Sequence, residues 1–243
     1  MHLFITSSII DWDYIILQEP RILKHAKVMR LEIWENFLVQ EMIWDTIYRR
    51  KIVCEEIQKK QIIWKVVSTA QQKQKTWPLV TIAVPLPNTL SKLDLIVQKL
   101  SEIWVDEIVF WTAKRSQIRK LSDKKISKAC QISLESSQQA KSRNTPKVTY
   151  TKNIQEYCEK YTIIVLDQWW TNVIELFQQN ILQVKKNTLW YLCVLWPEGW
   201  LTEEDYIHIW KLYTKIDLGE SILRMETAAR IGSWIIKQLS IDL

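Results

Sequence analysis

Two short segments near the carboxyl end hold the residues best placed for chemistry. Residues 194–201 read Val-Leu-Trp-Pro-Glu-Gly-Trp-Leu, between a strand-like apolar run and a predicted helix start. Residues 218–228 read Leu-Gly-Glu-Ser-Ile-Leu-Arg-Met-Glu-Thr-Ala, a glycine turn followed by a charged helix start. In an α/β sheet such loops lie at the carboxyl ends of strands, where ligands bind, and their backbone N–H groups can contact a ligand closely. Ordinary capped loops between a strand and a helix explain both segments equally well.

Familiar catalytic motifs are missing from the sequence. It contains no G-x-G-x-x-G after a strand, no P-loop and no G-x-S-x-G elbow, and no histidine is placed to activate a serine or cysteine nucleophile. These absences disfavour the NTPase and hydrolase classes. The four cysteines and three histidines are widely scattered, so we expect neither a metal site nor a disulfide framework, and a reducing cytoplasm is the expected compartment.

The composition is that of a folded protein with a mild positive charge. The 243 residues, 47% hydrophobic and 25% charged, suffice for one large domain or two modest ones. No apolar run reaches the roughly 18–20 residues of a membrane span, and no signal peptide is recognisable. The net charge of +6 favours a phosphate-bearing partner such as nucleic acid, although ordinary solubility charge accounts for it equally well.

Glycine is scarce and tryptophan is abundant. Average usage of about 7% predicts roughly 17 glycines, whereas the chain has 3 glycines and 14 tryptophans. Glycine suits tight turns because it adopts positive φ without strain, yet tryptophan stands where turns are expected, at Trp34, Trp104, Trp169, Trp170, Trp196 and Trp200. We hypothesise that many of these tryptophans are glycines in the native protein, encoded by a UGA codon that the source organism reads as glycine. The alternative is a tryptophan-rich protein that uses indoles in its core or for stacking.

The hydrophobic pattern divides the chain into two parts. Residues 1–70 contain short β-branched or aromatic runs and one short helical segment, which is typical of a small barrel. Residues 71–77 are polar and are predicted to be a linker. Over residues 78–243 strand-like and helical patterns alternate, which predicts a parallel sheet covered by helices on both faces. The predicted strands of this part are 80–84, 105–110, 162–166, 190–195 and 215–218, and the predicted helices are 90–103, 122–141, 172–182, from 202 onward, and 227–239.

The two carboxyl-terminal segments resemble the signature of the SPOUT methyltransferases, provided that Trp196 and Trp200 are taken as glycine. More narrowly, they resemble the bacterial 16S ribosomal RNA uracil-N3 methyltransferase family. Upstream, residues 98–105 (Gln-Lys-Leu-Ser-Glu-Ile-Trp-Val) are similar to that family's Q-K-x-x-E-L-G-V, and residues 25–34 to its H-x-x-x-V-L-R-x-x-x-G. The resemblance therefore spans nearly the whole chain, and each mismatched glycine is a tryptophan here. Ser221 and Gln138 are further departures, standing where the family usually has arginine and glutamate.

The resemblance implies an α/β protein with an N-terminal PUA-like RNA-binding β-barrel (1–70) and a SPOUT methyltransferase domain (78–243) with a C-terminal trefoil knot. It further implies a homodimer that uses S-adenosylmethionine to methylate uracil N3 in 16S ribosomal RNA, at uridine 1498, within the small ribosomal subunit. No membrane and no metal are implied. The cofactor-binding residues carried over are Leu166, Asp167, Leu195, Trp196, Pro197, Glu198, Gly199, Trp200, Leu201, Leu218, Gly219, Ile222 and Leu223. The RNA-binding candidates are His25, Arg30, Lys114, Arg115, Arg119 and Arg143, with a solvated surface as the equal alternative for the basic residues 114–120.

The implied reaction needs a proton acceptor, because uracil N3 carries a proton and the developing charge spreads onto O2 and O4. Arg224 and Glu226 begin the last helix and are the first candidates for catalytic roles, with Glu198 as the third. Arg224 could equally bind phosphate or form a structural ion pair, and Glu198 could merely cap a helix. Two other functions stay open: a non-catalytic RNA-binding protein that keeps the fold, expected if the indoles at 196 and 200 block the pocket, and a SPOUT methyltransferase with a different RNA target.

Overall fold

The chain divides into two compact units, Met1–Lys75 and Thr76–Leu243. The structure is a computed structural model. It describes the chain apart from residues 1–2, 6–13, 18–19, 29, 44–45, 60, 74–78, 143, 167–189, 198, 210–212 and 242–243.

The described strands of the first unit form one five-stranded sheet in the order β1-β3-β4-β5-β2. β1 and β3 pair in parallel, and the other pairs are antiparallel. β5 continues to Lys73, three residues into the stretch predicted to be a linker. The elements are β1 (Leu3–Ile5), β2 (Tyr14–Leu17), α1 (Pro20–Val28), β3 (Asn36–Ile43), β4 (Thr46–Ile57) and β5 (Ile62–Lys73).

The core of the first unit is built from residues that alternate along these strands. Ile15, Phe37, Cys54 and Trp64 are all fully buried. The rings of Phe37 and Trp64 stack, with centroids 5.9 Å apart and planes 9° from parallel. Burial raises the pKa of the Cys54 thiol. The core of the first unit therefore packs around the large aromatic side chain of Trp64.

The described strands of the second unit form a six-stranded sheet in the order β11-β9-β10-β6-β7-β8. Every pair in this sheet is parallel. The elements are β6 (Leu79–Pro85), α2 (Leu90–Glu102), β7 (Glu107–Trp111), α3 (Asp123–Gln139), β8 (Lys147–Thr151), α4 (Gln155–Cys158), β9 (Thr162–Leu166), β10 (Trp190–Val194), α5 (Glu203–Ile209), β11 (Tyr213–Ile216) and α6 (Met225–Ile241).

Both faces of the parallel sheet are covered. On one face Val80, Ile82 and Val84 pack in a core shared with α2, α3 and α6, and on the other Ala83 packs in a core shared with α4 and α5. Burial on both faces explains why the central strands are continuous apolar runs. On α6, a Cβ at Gly232 would overlap the Leu166 side chain, so this glycine lets the helix lie directly against β9.

The structure confirms a mixed α/β fold with a barrel-like, mainly antiparallel part followed by a parallel sheet. The sequence prediction missed two short elements, β8 and α4. α6 begins at Met225, two residues before the predicted start, because the Arg224 carbonyl accepts the N–H groups of Thr227 and Ala228. The predicted helix 172–182 lies outside the described residues, as does Asp167, which was predicted to belong to the third cofactor-binding loop of the knot. No described helix has the length and apolarity to cross a bilayer.

Candidate functional site

A cleft of about 220 Å³ lies between the loops that follow β10 and β11. The β10–α5 loop comprises residues 195–202, and the β11–α6 loop comprises residues 217–224. We call this space the two-loop cleft; it is lined by Lys92, Trp196, Trp200, Ile222, Leu223, Arg224, Met225 and Glu226. The two segments that the sequence singled out therefore meet at one site.

A tight turn shapes the β10–α5 loop. The N–H of Leu195 donates to the Ala83 carbonyl at 3.0 Å, and the N–H of Trp200 donates to the Pro197 carbonyl at 2.9 Å. Trp200 has a φ of 65°, in the left-handed region that bulky L-residues avoid. Its ring stacks on that of Trp196, with centroids 5.8 Å apart and planes 16° from parallel. The two indoles therefore occupy the side of the cleft formed by this loop.

The β11–α6 loop makes its bend with glycine. Gly219 has a φ of 119°, and its N–H donates to Asp217 Oδ1 at 2.9 Å. No atom lies within 4 Å of the position that a Cβ would take. The bend is therefore set by backbone conformation and by the Asp217 side chain, and it leaves open space beside the loop.

The polar end of the cleft contains two of the three catalytic candidates. Arg224 is exposed and Glu226 is half-buried. The Oε2 atom of Glu226 is buried and has no hydrogen-bond partner among the described residues. Buried carboxylate oxygens are normally satisfied, so an unpaired one on a residue that lines a cleft marks Glu226 as a candidate to receive a hydrogen bond or a proton from a ligand. The third candidate, Glu198, lies outside the described residues.

A buried carboxylate joins the β10–α5 loop to the loop after β7. Asp205 is 2% exposed. Its Oδ1 accepts the backbone N–H of Lys114 at 2.8 Å, and its Oδ2 accepts the N–H and the hydroxyl of Thr202 at 2.8 and 2.9 Å. The Arg115 guanidinium adds a second link, since it donates to the Gly199 carbonyl at 2.6 Å. The sequence predicted a helix that begins at residue 202, but no pattern in it indicated the contact between Asp205 and Lys114.

The predicted cofactor residues divide into four groups. Trp196, Trp200, Ile222 and Leu223 line the two-loop cleft, whereas Leu166 and Leu195 are fully buried in the core. The others in the described part lie along the two loops without lining the cleft: Pro197, Gly199, Leu201, Leu218 and Gly219. Asp167 and Glu198 lie outside the described residues. Sequence reasoning missed Lys92, from the first turn of α2, and Met225, because no motif marks either residue.

The basic residues predicted to bind RNA occur in both units of the chain. Lys114 Nζ lies 2.6 Å from Glu204 Oε2 in an ion pair that is more than half exposed. Lys114 and Arg119 line a larger cleft of about 420 Å³ at the carboxyl ends of β7 and β8. In the first unit, Arg30 lines a cleft of about 250 Å³ with Lys27 and Lys59. His25 belongs to α1, and Arg143 lies outside the described residues.

Three tryptophans have left-handed backbone conformations. Trp34, Trp104 and Trp200 have φ values of 71°, 63° and 65°. Trp104 directly follows Ile103, the C-cap residue of α2, and is therefore at the C′ position of that helix. The prediction that tryptophan stands at glycine-type turn positions is confirmed for these three residues. Trp196 is different, because its φ is not positive and it is 6% exposed.

No group of three or more His, Cys, Asp or Glu residues in the described ranges is placed to hold a metal ion. The four cysteines are free thiols; Cys54, Cys158 and Cys193 are buried and Cys130 is exposed. Complete burial strongly raises the pKa of Cys193. Cys193 precedes the β10–α5 loop by two residues but is therefore an inert thiol rather than a nucleophile.

Comparison with known proteins identifies the family. Residues 73–236 match the model of the RNA methyltransferase domain. Over 217 residues the chain is 30% identical to ribosomal RNA small subunit methyltransferase E of Mesomycoplasma hyopneumoniae (strain 232), a match that covers 85% of this chain and 87% of the relative. The chain belongs to this family of RNA methyltransferases. The family predicted from the sequence is thereby confirmed.

Solved structures with the same fold include proteins with a bound cofactor. Ribosomal RNA small subunit methyltransferase E of Neisseria gonorrhoeae, bound to S-adenosyl methionine, superposes with a TM-score of 0.78 at 17% identity and covers 98% of both chains. A Legionella pneumophila protein in complex with the same cofactor has a TM-score of 0.73 at 17% identity, covering 99% of this chain and 97% of its own. At these identities the likeness shows that the fold is shared.

The two-loop cleft does not fit a cofactor of that size. Sites for small molecules and cofactors usually enclose roughly 300–1,000 Å³, and this cleft holds about 220 Å³. The rings of Trp196 and Trp200 stack on each other and both line this cleft. Glycine at both positions would remove these two rings from the lining of the cleft.

Proposed function

We propose that the form of this protein with glycine at 196 and 200 is an S-adenosylmethionine-dependent methyltransferase, and that the chain with tryptophan there descends from it. The enzyme acts on uracil N3 of 16S ribosomal RNA, at uridine 1498. The observation that carries this proposal is the two-loop cleft. It brings the two motif-bearing loops together, and both Arg224 and Glu226 line it; the Oε2 atom of Glu226 is buried and has no hydrogen-bond partner among the described residues. The family membership of the chain supports the same class of reaction.

The side chains of the cleft suit the uracil half of the reaction. Uracil N3–H must lose its proton before or while the nitrogen forms a new bond to carbon, and the negative charge spreads onto O2 and O4. Glu226 Oε2 can accept this proton, because it has no competing donor among the described residues. The Arg224 guanidinium, exposed at the rim, can stabilise the charge on a carbonyl oxygen. Glu198, in the neighbouring loop, is the alternative proton acceptor.

The remaining residues of the site would hold the cofactor and the RNA in place and would take no part in the reaction itself. We propose that the backbone of the β10–α5 loop, the β11–α6 loop and residues 166–167 surround the cofactor. Lys114, Arg115, Arg119 and Arg143 would contact the RNA backbone, as would His25 and Arg30 in the first unit. We further propose that residues 1–70 form a PUA-like RNA-binding barrel, that residues 71–77 connect it to the methyltransferase domain, and that the protein works as a cytoplasmic homodimer on the small ribosomal subunit.

Nucleoside analysis of ribosomal RNA tests this function. We expect small-subunit RNA from a strain that lacks the gene to lose N3-methyluridine at one position, and the restored native gene to return it. A Glu226→Gln version of the restored gene should fail to return it. A Glu220→Gln version should succeed, because Glu220 is an exposed carboxylate in the loop before the helix that contains Glu226. If N3-methyluridine persists in the deletion strain, the target assignment is wrong.

The stacked indoles favour a second candidate function for the chain as written. With Trp196 and Trp200 in place, the cleft is too small for the cofactor, and the chain would retain only RNA binding. This candidate predicts binding to small-subunit RNA without methylation, and it applies only if the native protein has tryptophan at both positions.

A further inference from the structure

Left-handed backbone is concentrated at tryptophan in this protein. Of the five non-glycine residues with positive φ in the described ranges, three are tryptophans, although tryptophan makes up only 14 of 243 residues. Among non-glycine residues, asparagine, aspartate and histidine tolerate this conformation best, and bulky side chains are outliers there. The pattern is therefore the opposite of what tryptophan's own preferences would produce.

Side-chain packing does not explain two of these conformations. Trp34 is 71% exposed and Trp104 is 36% exposed, so neither ring fills a core position. Trp34 instead serves through its backbone, since its N–H donates to the Cys54 carbonyl at 2.7 Å and joins the turn before β3 to strand β4. Trp104 ends α2 at the position where helices most often have glycine. Position 34 therefore uses the backbone of the residue and little of its side chain, and position 104 requires the left-handed backbone of a helix end.

Trp64, in contrast, occupies a position that suits a tryptophan side chain. It lies within β5 and is fully buried, and its ring stacks on Phe37. Its φ is not among the positive values. The chain thus contains tryptophans of two kinds, one defined by packing and the other by a backbone conformation that favours glycine.

We propose that residues 34, 104 and 200 are glycine in the protein made by the native organism, and that residue 64 is tryptophan there. The codons at 34, 104 and 200 would be UGA, translated as glycine in that organism. We extend the proposal to residue 196, whose ring stacks on Trp200 in the two-loop cleft. This extension rests on the proposed function, since the φ of Trp196 is not positive. Replacing both indoles would open the side of the cleft that is now filled.

Peptide mass spectrometry of the protein from its native host tests the proposal directly. We expect glycine at 34, 104, 196 and 200 and tryptophan at 64, together with UGA codons at the four glycine positions and UGG at 64. Tryptophan at 34, 104 and 200 in native peptides would overturn the proposal. Tryptophan at 196 alone would overturn only the extension that depends on the cofactor site.

Thermal unfolding of the recombinant chain gives an independent test with a matched control. Trp34→Gly and Trp104→Gly should each raise the melting temperature, because glycine removes the strain and little packing is lost. Trp64→Gly should lower it markedly, since it empties a core position. Equal losses in all three variants would contradict the distinction between the two kinds of tryptophan. Native glycine at 196 and 200 without cofactor binding would instead refute the proposed function and leave this inference intact.

Discussion

The β10–α5 loop and the β11–α6 loop both line the two-loop cleft, but they form their bends with different residues. Both follow parallel strands of the same sheet and both contribute to one cleft. The β11–α6 loop bends at Gly219, with a φ of 119° and open space around the missing side chain. The β10–α5 loop bends through Trp200, with a φ of 65° and a ring stacked in the cleft.

The difference between the loops shows which features of the site depend on side chains and which on backbone. The β11–α6 loop leads into Arg224 and Glu226, which can act on a base, and its turn requires only a glycine. Hydrogen bonds made by Asp205 and Arg115 hold the β10–α5 loop in place. Its conformation is therefore maintained by its neighbours even though the residue at its bend is unfavourable.

The largest expected effect concerns the end of the β11–α6 loop. In the Trp196→Gly/Trp200→Gly background, Glu226→Gln should lower kcat by roughly 100-fold or more, the usual contribution of a general base. Glu220→Gln makes the same chemical change at an exposed position of the same loop and should leave kcat within about twofold. Methyl transfer to small-subunit RNA measures both. Equal kcat values for the two variants would remove Glu226 from the catalytic machinery.

The next effect compares the aspartates that hold the two loops. Asp205→Ala should lower the free energy of unfolding by about 3 kcal/mol, because it leaves three buried or half-buried donors without their charged acceptor. Asp217→Ala, which removes the acceptor for Gly219 N–H, should cost about 1 kcal/mol. Urea unfolding of both variants gives the comparison. A smaller loss for Asp205→Ala than for Asp217→Ala would show that the β10–α5 loop is not held in the way described.

A smaller effect is expected at the glycine bend itself. Gly219→Ala should cost about 1 kcal/mol through backbone strain alone, since a Cβ there meets no other atom. Trp200→Gly should instead raise the free energy of unfolding, because it removes the backbone strain of a positive φ at a bulky residue. Glu220→Ala, at the next residue, serves as the control for a change outside the bend. Unchanged unfolding midpoints for both Gly219→Ala and Trp200→Gly would mean that positive φ does not limit either loop.

The smallest effect on stability is expected at Lys114, beside the β10–α5 loop. Its ion pair with Glu204 is exposed, so Lys114→Met should alter the free energy of unfolding by no more than about 0.5 kcal/mol. If Lys114 contacts the RNA backbone, the same variant should weaken RNA binding and reduce its salt dependence. Binding measured at several salt concentrations checks this. An unchanged salt dependence would assign Lys114 to the surface ion pair alone.

Elements with strong local signals could be predicted from the sequence, and contacts between distant residues could not. α2 and its end at Trp104 followed from apolar residues at three- and four-residue steps. β8 was missed because it is a short strand at the edge of the sheet and its residues are mostly half-buried. The contact between Asp205 and Lys114 joins residues 91 positions apart, and no pattern in either segment indicates it. The unpaired oxygen of Glu226 likewise depends on three-dimensional packing.

Calorimetric titration with S-adenosylmethionine tests the central claim most directly. The claim is that the two-loop cleft is a cofactor site obstructed only by the indoles at 196 and 200. We predict saturable binding to the Trp196→Gly/Trp200→Gly variant and at least 100-fold weaker binding to the chain with both tryptophans. Equal affinity in the two proteins would show that the indoles do not obstruct the site, and binding by neither would show that the cleft is not a cofactor site.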